Sequence, residues 1–578
     1  MLHSWLAQRF LFIVLGLSIS GVNLPLALAD VEFQNATPLS QAVKTPVEDC
    51  SSTSPISLPL ITWGGDIATI YANGNQAETG SGSIFDKLGL KFKLFREDVF
   101  ANQLKSYLSC KSPYLRGTLS MIHLAGEVAN QDPRTRMTVV YQLTWSAGGD
   151  AMVVKGNIQS PNQLKGKTIA VQTYGPHIDY LGKILKDAGL SMKDVKIRWT
   201  KDLTGTNQTP MTAIYKSDID AAMVIIPDAL KLTSNGTVGT GAEDSVKGAR
   251  ILLSTKTANR IISDVYAVRS DFFAANRNDV MKFVQGLLIA QEDLASLVRA
   301  KVQRKTDYEN TMKASARLLM DSEQAMADTA GMYGDASFAG WTGNMKFFAD
   351  PKNPRSFEHL GQEIQETLTG AGLLTKAAKV KAAGWDYNVL KKDLKNVSHT
   401  EASHFNADKV AQVAAKRSAQ NKPEGELFRF EVLFKPNQNS FRAADYADAF
   451  KKAVSLAATY GGAVITVEGH SDPLGYLKKK KESESPIVLS RIRQSAKNLS
   501  LTRAGAVRDN LLQYAKSLGI AVDPGQFAVV GQGIEHPKTG ICGEDPCAPQ
   551  SEKDWLSNMR VEFRIIQVEA EENVFQSL

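Results

Sequence analysis

The stretch "VEGHSD", Val467 to Asp472, sets two acids and an imidazole within six positions at the end of an apolar run. No second group of metal ligands surrounds it. Thirty-one positions after Asp472, "LSLTRA" places Arg503 at the opening of a helical pattern. A fixed carboxylate answers an ammonium group, and a guanidinium answers a carboxylate with two parallel hydrogen bonds. From spacing alone, a surface Asp and a helix Arg in an ordinary ion pair is the simpler reading. Elsewhere, covalent or phosphate chemistry finds no support: the sequence has no P-loop, no H-E-x-x-H and no G-x-S-x-G. Four cysteines remain, Cys50, Cys110, Cys542 and Cys547. In "CGEDPC", Cys542 and Cys547 suit a tight disulfide loop, which leaves Cys50 and Cys110 with their pairing open. A metal site there lacks a second ligand pair.

These residues need elements to hold them. The first residues read as an address: Arg9, the apolar run "FLFIVLGLSISGV", then Ala27 and Ala29 as an A-x-A site. Residues 1–29 are therefore expected to be a signal peptide cut after Ala29, with no cysteine there for a lipid anchor. The mature chain is expected to be exported and soluble. The 43% apolar and 22% charged fractions fit globular domains, and 578 residues are too many for one core. A net charge of +7 is too mild to imply nucleic-acid binding.

After a lead segment, 30–54, apolar strands alternate with helical stretches from 55 onward, which predicts α/β units with largely parallel sheets. From about 300 to 390 the pattern is mostly helical. Residues 391–426 are polar and read as a linker, with one exposed helix near 407–419. A second unit, 427–567, follows in the order β-α-β-α-β-β, before a tail at 568–578. In "MRVEFRII", Met559, Val561, Phe563 and Ile565 alternate with Arg560, Glu562 and Arg564, which predicts one buried and one wet face.

Residues 427–567 resemble the OmpA-like peptidoglycan-binding domain. The likeness rests on the ordered run "FKPNQNSF", "VEGHSD", "LSLTRA", "VVGQG" and "NMRVEFRI". It implies that Asp472 and Arg503 hold the peptidoglycan stem peptide. There a diaminopimelate centre offers an ammonium to the acid and a carboxylate to the arginine. Two departures stand out. The span between Asp472 and Arg503 is about twice the family length, so 477–498 looks inserted and Lys478 to Lys481 read as a solvated loop, with attraction of anionic wall polymers the lesser alternative. The closing motif has Met559 where an arginine is usual; Arg560 is kept as a third binding residue.

Residues 55 to about 300 resemble periplasmic substrate-binding proteins of ABC transporters, in the sulfonate, nitrate and thiamine-precursor group. The likeness is carried by "QLKGKTIAVQTYGPHIDYLGKILKDAGLSMKDVKI", "AIYKSDIDAAMVIIPDAL" and "VYAVRSDFF". It implies two α/β lobes closing over a ligand, within 55–390, with the second lobe at roughly 150–262. "TWSAGGD" and "ISDVYAV" are the expected crossings between lobes. Ligands in such sheets lie beyond the carboxyl ends of the strands. That selects Trp63, Gly64 and Asp66; Trp145, Ser146 and Asp150; Thr173, Tyr174 and His177; and Asp202, Thr204 and Asp228. Singly, each has a plainer role: core tryptophans, capping acids, a surface histidine. As a set, aromatics with acids suit an organic ligand bearing amine or hydroxyl groups, whereas the helix start at His177 suits an anion.

The expected function is a periplasmic solute-binding protein, held at the cell wall of a Gram-negative envelope through peptidoglycan. Its partners would be the stem peptide, a small molecule and, as the resemblance implies, a transporter permease, with no cofactor and no catalysis. The alternatives are an envelope assembly protein with a degenerate cleft, and an enzyme on the binding-protein scaffold.

Overall fold

The computed structural model describes residues 31–50, 54–242, 244–395, 405–420, 426–434 and 446–566. The signal peptide, its cleavage site and the tail at 568–578 fall outside them. Among the described residues no helix is long and apolar enough to cross a membrane.

The N-terminal unit has two lobes, each built on a five-stranded sheet, with a further two-stranded pair in the first. The first lobe holds the parallel pair β1 (Ile56–Leu60) and β2 (Phe92–Arg96), beside a sheet of β3 (Tyr114–Thr118), β4 (Met137–Ser146), β10 (Ser263–Arg269) and β11 (Ala336–Phe338) in the order β11-β4-β10-β3. The short β12 (Lys381–Ala382) lines β4. The second lobe orders β7 (Lys196–Thr200), β6 (Thr168–Gln172), β8 (Ala221–Ile225), β5 (Asp150–Val154) and β9 (Arg250–Ser254). The expectation of largely parallel sheets holds for β6 with β7 and β8. It fails at β5, which is antiparallel to both β8 and β9, and in the larger sheet of the first lobe, where β3, β10, β4 and β11 pair antiparallel. There β10 arrives from the other lobe, not through a helical crossover, so no βαβ rule fixes its direction.

The chain crosses between lobes at Ser146–Asp150 and again at Thr255–Ile262. Thr255 stitches the two crossings: its hydroxyl accepts from the Gly148 and Asp150 amides at 3.1 Å each and lies 2.9 Å from Ser146 Oγ. A third tie is the helix Phe357–Gly370, which lies across the helices Leu119–Ala129 of lobe one and Ile178–Asp187 of lobe two. Its Phe357, Leu360, Ile364 and Leu368, at helical spacing, join one apolar core with both partners. The lead segment is a fourth: Gln34 bridges to Trp199 of β7, Leu39 and Val43 are buried, and Cys50 bonds Cys110.

The C-terminal unit is a sheet in the order β13 (Glu426–Leu433), β18 (Arg560–Ile566), β14 (Val464–His470), β15 (Phe527–Gly533), with a small hairpin of β16 (Ile541–Cys542) and β17 (Asp545–Pro546). Helices Ala447–Thr459 and Pro486–Ser517 cover one face. Three expectations change here. The stretch that looks inserted is not a loop: it forms the helix Leu474–Lys481 and the first turns of the 32-residue helix Pro486–Ser517, started by Ser485, whose hydroxyl caps Val488 N, and by Pro486 in the first turn. The helix of the expected linker is Ala407–Gln420, and it is not exposed along its length: Phe405, Val410 and Ala414 are buried against Val464 and Ala528, on the second face of the sheet. β18 has no wet face either: all its seven residues are buried, with Glu562 and Arg564 bonded to Arg429, Glu426 and Glu468 of the flanking strands.

Candidate functional site

The C-terminal unit gathers its charged residues in two places. On the second face, Glu468, His470 and Glu562 point ligand-type atoms within 4.8 Å of one another. They do not suit a metal ion. Arg429 and Arg560 bond Glu562, and Arg564 bonds both Glu468 and Glu426, so each carboxylate is already answered. Burial, helped by the Arg560 charge, holds His470 neutral, down to about 3. The face is a buried, charge-balanced cluster. Arg560, expected at a ligand, lies beside it: only 3% exposed, it donates from Nε to Glu562 and from Nη2 to the His536 carbonyl, and its Nη1 has no partner among the described residues.

The second place is the sheet end where β14 and β15 stop. Gly469 and Gly531 lack side chains where the Pro486–Ser517 helix passes; a Cβ on Gly469 would overlap the Ser500 carbonyl. The helix therefore lies directly on the strand ends, and Arg503 stands one turn past Ser500. Asp472 follows β14 and is half-buried. Its Oδ1 accepts from Leu474 N at 2.8 Å and its Oδ2 from Asn558 Nδ2 at 2.9 Å. Arg503 is 4% exposed, lies 5.6 Å over the Phe434 ring, and its Nε has no partner among the described residues. Burial raises the Asp472 carboxyl and lowers Arg503. Both charges sit at one end of the sheet, and neither has an opposite charge within 4 Å among the described residues. The four lysines stand on the helix Leu474–Lys481. Lys480 pairs with Asp545 of the disulfide-closed hairpin Cys542–Cys547, and Lys479 with Glu482 at 2.8 Å.

Between the lobes, two polar knots meet. In the first, Arg116 on β3 binds Asp66 through Nη2 at 2.7 Å and Asp264 through Nη1 at 2.9 Å; all three are buried. Burial raises Asp66 to about 7 against the pull of Arg116. Thr144 links Asp264 to Trp63, whose indole N–H donates to the Thr144 hydroxyl at 3.0 Å. In the second, Ser146 Oγ donates to Asp150 Oδ2 at 2.6 Å and His177 Nε2 to Asp150 Oδ1 at 2.7 Å. Trp63 joins the knots, its ring lying against Gly149. The order serine–acid–histidine leaves the serine bonded to the acid, not to the imidazole, so nothing here activates it as a nucleophile.

Trp63, Asp66, Ser146, Asp150 and His177 thus share one region with Gly64, which seats the Met332 carbonyl where a Cβ would overlap it. The remaining candidates separate from them. Trp145 is core, edge-on to Phe347 at 5.6 Å. Tyr174, at φ 60°, sends its hydroxyl to the Thr37 carbonyl of the lead segment. Thr173 is buried with its hydroxyl unpartnered among the described residues. Asp202 accepts from Thr206 within an exposed turn that also holds Thr204, and Asp228 stands in the first turn of the helix Ile226–Leu232. Residues absent from the expected set matter as much. Arg116 was visible as a lone charge in the strand "YLRGT". Asp179 and Asp335 carried no signal. Asp179 is buried with both oxygens unpartnered among the described residues, and burial pushes it up to about 8. Asp335, held by a backbone bond from Ala147 N, is raised to about 6 by burial and by Asp150.

The profile of the family described as "NMT1/THI5 like" matches residues 122–296, less than a third of the chain. No curated protein matches the sequence. Among solved structures, the chain is similar to the periplasmic aliphatic sulphonate binding protein SsuA from Escherichia coli, at 17% identity and a TM-score of 0.38 over 56% of this chain and 90% of that one. It is similar to the periplasmic sulfonate-binding protein SsuA from Methylobacillus flagellatus, at 16% identity and 0.41, over 61% and 97%. It is also similar to the desulfurization enzyme DSZB, at 16% identity and 0.35, over 56% and 94%.

Proposed function

We propose that the protein is a solute-binding protein of the periplasm whose C-terminal unit tethers it non-covalently to peptidoglycan. The observation that carries the reading is the polar groups left unanswered at each site. At the end of the C-terminal sheet, Asp472, held by the neutral Leu474 and Asn558 N–H groups, and Arg503, whose Nε has no partner, offer opposite charges without an ion-pair partner among the described residues. That suits the ammonium and carboxylate of one diaminopimelate centre. Between the lobes, buried carboxyl groups gather: Asp150 acts on Asp264, Asp335 and Asp179, while Arg116 serves Asp66 and Asp264, and Arg355 and Lys256 act on Asp179 and Asp335. Burial that raises Asp179 to about 8 and Asp335 to about 6 favours their protonated forms, which can exchange hydrogen bonds with hydroxyl or amine groups, so the region suits a small organic ligand bearing such groups over a sulfonate. The family profile over 122–296 supports the solute-binding half, and a transporter permease would be its partner.

A second reading has its own support. Met332 seats on Gly64 and Asp335 lies against Gly148, so the chain itself fills part of the space between the lobes. An envelope assembly protein with a closed cleft would look like this. Thermal unfolding of the mature chain against small amines, polyols and alkanesulfonates separates the readings. A ligand present at a hundred times its Kd adds about 2.7 kcal/mol to stability. Stabilisation by amines or polyols, absent from Asp150→Asn, is expected. No stabilisation by any class, with wall binding intact, favours the assembly role, and turnover of a bound compound would move the reading to an enzyme.

A further inference from the structure

The two units meet over a narrow contact, and its position is informative. Tyr460 closes the Ala447–Thr459 helix and is fully buried. Its hydroxyl donates to Asp187 Oδ2 at 2.9 Å, at the last residue of the Ile178–Asp187 helix in lobe two. Asp187 also accepts from Lys183 at 2.8 Å, and Lys183 lies 3.5 Å from Glu363 of the Phe357–Gly370 helix. Two residues on, the Gly462 amide donates to the Thr257 carbonyl at 3.1 Å. A Cβ on Gly462 would overlap the Lys256 carbonyl, and one on Gly461 would stand 2.8 Å from Asn259 Oδ1. Within its own unit the turn is fixed: Gln526 Nε2 donates to the Tyr460 carbonyl at 2.7 Å, and the Phe428 ring lies 5.1 Å from that of Tyr460.

Lys256 to Asn259 belong to the second crossing between the lobes, which Thr255 stitches to the first. Lobes that open and close do so by backbone rotation in such crossings. A turn seated on one crossing and pinned to lobe two at Asp187 restricts that rotation. We infer that the C-terminal unit is a clamp on the hinge: docked, it fixes the second crossing, and released, it frees that crossing to rotate within the play left by the helix Phe357–Gly370 and the lead segment. Lobe movement and the docking of the wall-binding unit are then coupled, and the coupling is reciprocal. The consequence for solute uptake rests on the proposed function; the contact and its test do not.

Amide hydrogen exchange on the full mature chain tests this without any ligand. Three variants serve: Gly462→Ala forces the turn off the crossing, Tyr460→Phe removes only the bond to Asp187, and Gly475→Ala, with open space around it, is the control. Exchange across residues 254–262 should quicken about tenfold or more in Gly462→Ala. In Tyr460→Phe it should quicken about two- to tenfold, the worth of one hydrogen bond. It should not move in Gly475→Ala. Strands β14 and β18 should stay protected throughout, which separates undocking from unfolding. If Gly462→Ala unfolds the unit, Tyr460→Phe decides alone. Unchanged exchange at 254–262 in Tyr460→Phe, or in a Gly462→Ala protein that keeps its C-terminal sheet, overturns the clamp.

Discussion

Replacing Arg503 by Met should lower wall affinity without lowering stability, and that opposition of signs is what makes it diagnostic. Arg503 is 4% exposed and its Nε has no acceptor among the described residues, so its charge is carried at a cost in the free protein. The lowered basicity that burial gives it points the same way. A buried polar group without a partner costs about 1–3 kcal/mol, and Met, close in length, keeps the packing over Phe434 while removing that group. The unfolding temperature should therefore hold or rise. Binding should move the other way. Loss of a charge-assisted bond to the ligand carboxylate costs about 1.5–3 kcal/mol, or roughly ten- to a hundredfold in affinity. Sedimentation with purified peptidoglycan measures one arm and thermal unfolding the other. If Arg503→Met binds the wall as the parent does, the guanidinium is not a ligand group. If instead it loses stability along with binding, Arg503 is structural and the assignment of this sheet end falls.

Asp472→Ala should lose wall binding to a similar degree, with a small loss of stability because Asn558 and the Leu474 amide lose their acceptor. Converting Lys478 to Lys481 to Ser should change sedimentation little at 0.15 M salt, where exposed charges are screened beyond about 8 Å. Of the two disulfides, Cys50–Cys110 spans 60 positions and Cys542–Cys547 only 5. Loop entropy alone gives about 4 kcal/mol to the first and about 2 kcal/mol to the second, so Cys50→Ser should cost more than Cys542→Ser in denaturant unfolding. Asp179, raised to about 8 in the fold against an ordinary value of 3.8, keeps its proton where the unfolded chain has lost it. Its contribution to stability is full below pH 4 and falls as pH rises towards 8, and Asp179→Asn should flatten that part of the profile.

The strands of both units were legible because alternation and apolar runs survive any tertiary arrangement. Hence "KTIAVQ", "IDAAMVII" and "MRVEFRII" fall on β6, β8 and β18. What failed depended on partners far along the chain. The helix Ala407–Gln420 carries too few apolar residues to announce a buried face, yet Val410 and Ala414 suffice because β14 and β15 present Val464 and Ala528 to them. Trp145 and Trp63 look alike in sequence, each ending a strand before small residues. Phe347, about 200 positions away, makes one of them core. The lysine-rich stretch read as a loop from its charge. Its helix follows from Ser485 and Pro486, a start signal that the charge obscured. Tyr174 could not be placed, because its partner Thr37 lies in the lead segment, 137 positions away, whose docking no local pattern announces.

The helix Phe357–Gly370 also says where this protein can be cut. The match to the "NMT1/THI5 like" profile ends at residue 296, and a fragment trimmed there would keep all of it. Burial draws the boundary later. Such a fragment would lose Phe357, Leu360, Ile364 and Leu368 and bare the matching apolar faces on the Leu119–Ala129 and Ile178–Asp187 helices. It would lose β11 and β12 as well, leaving β4 with an open edge ready to pair with another copy. The shortest N-terminal piece to stay in solution on its own should run to about Lys395, and anyone preparing the lobes in isolation should expect aggregation from anything shorter.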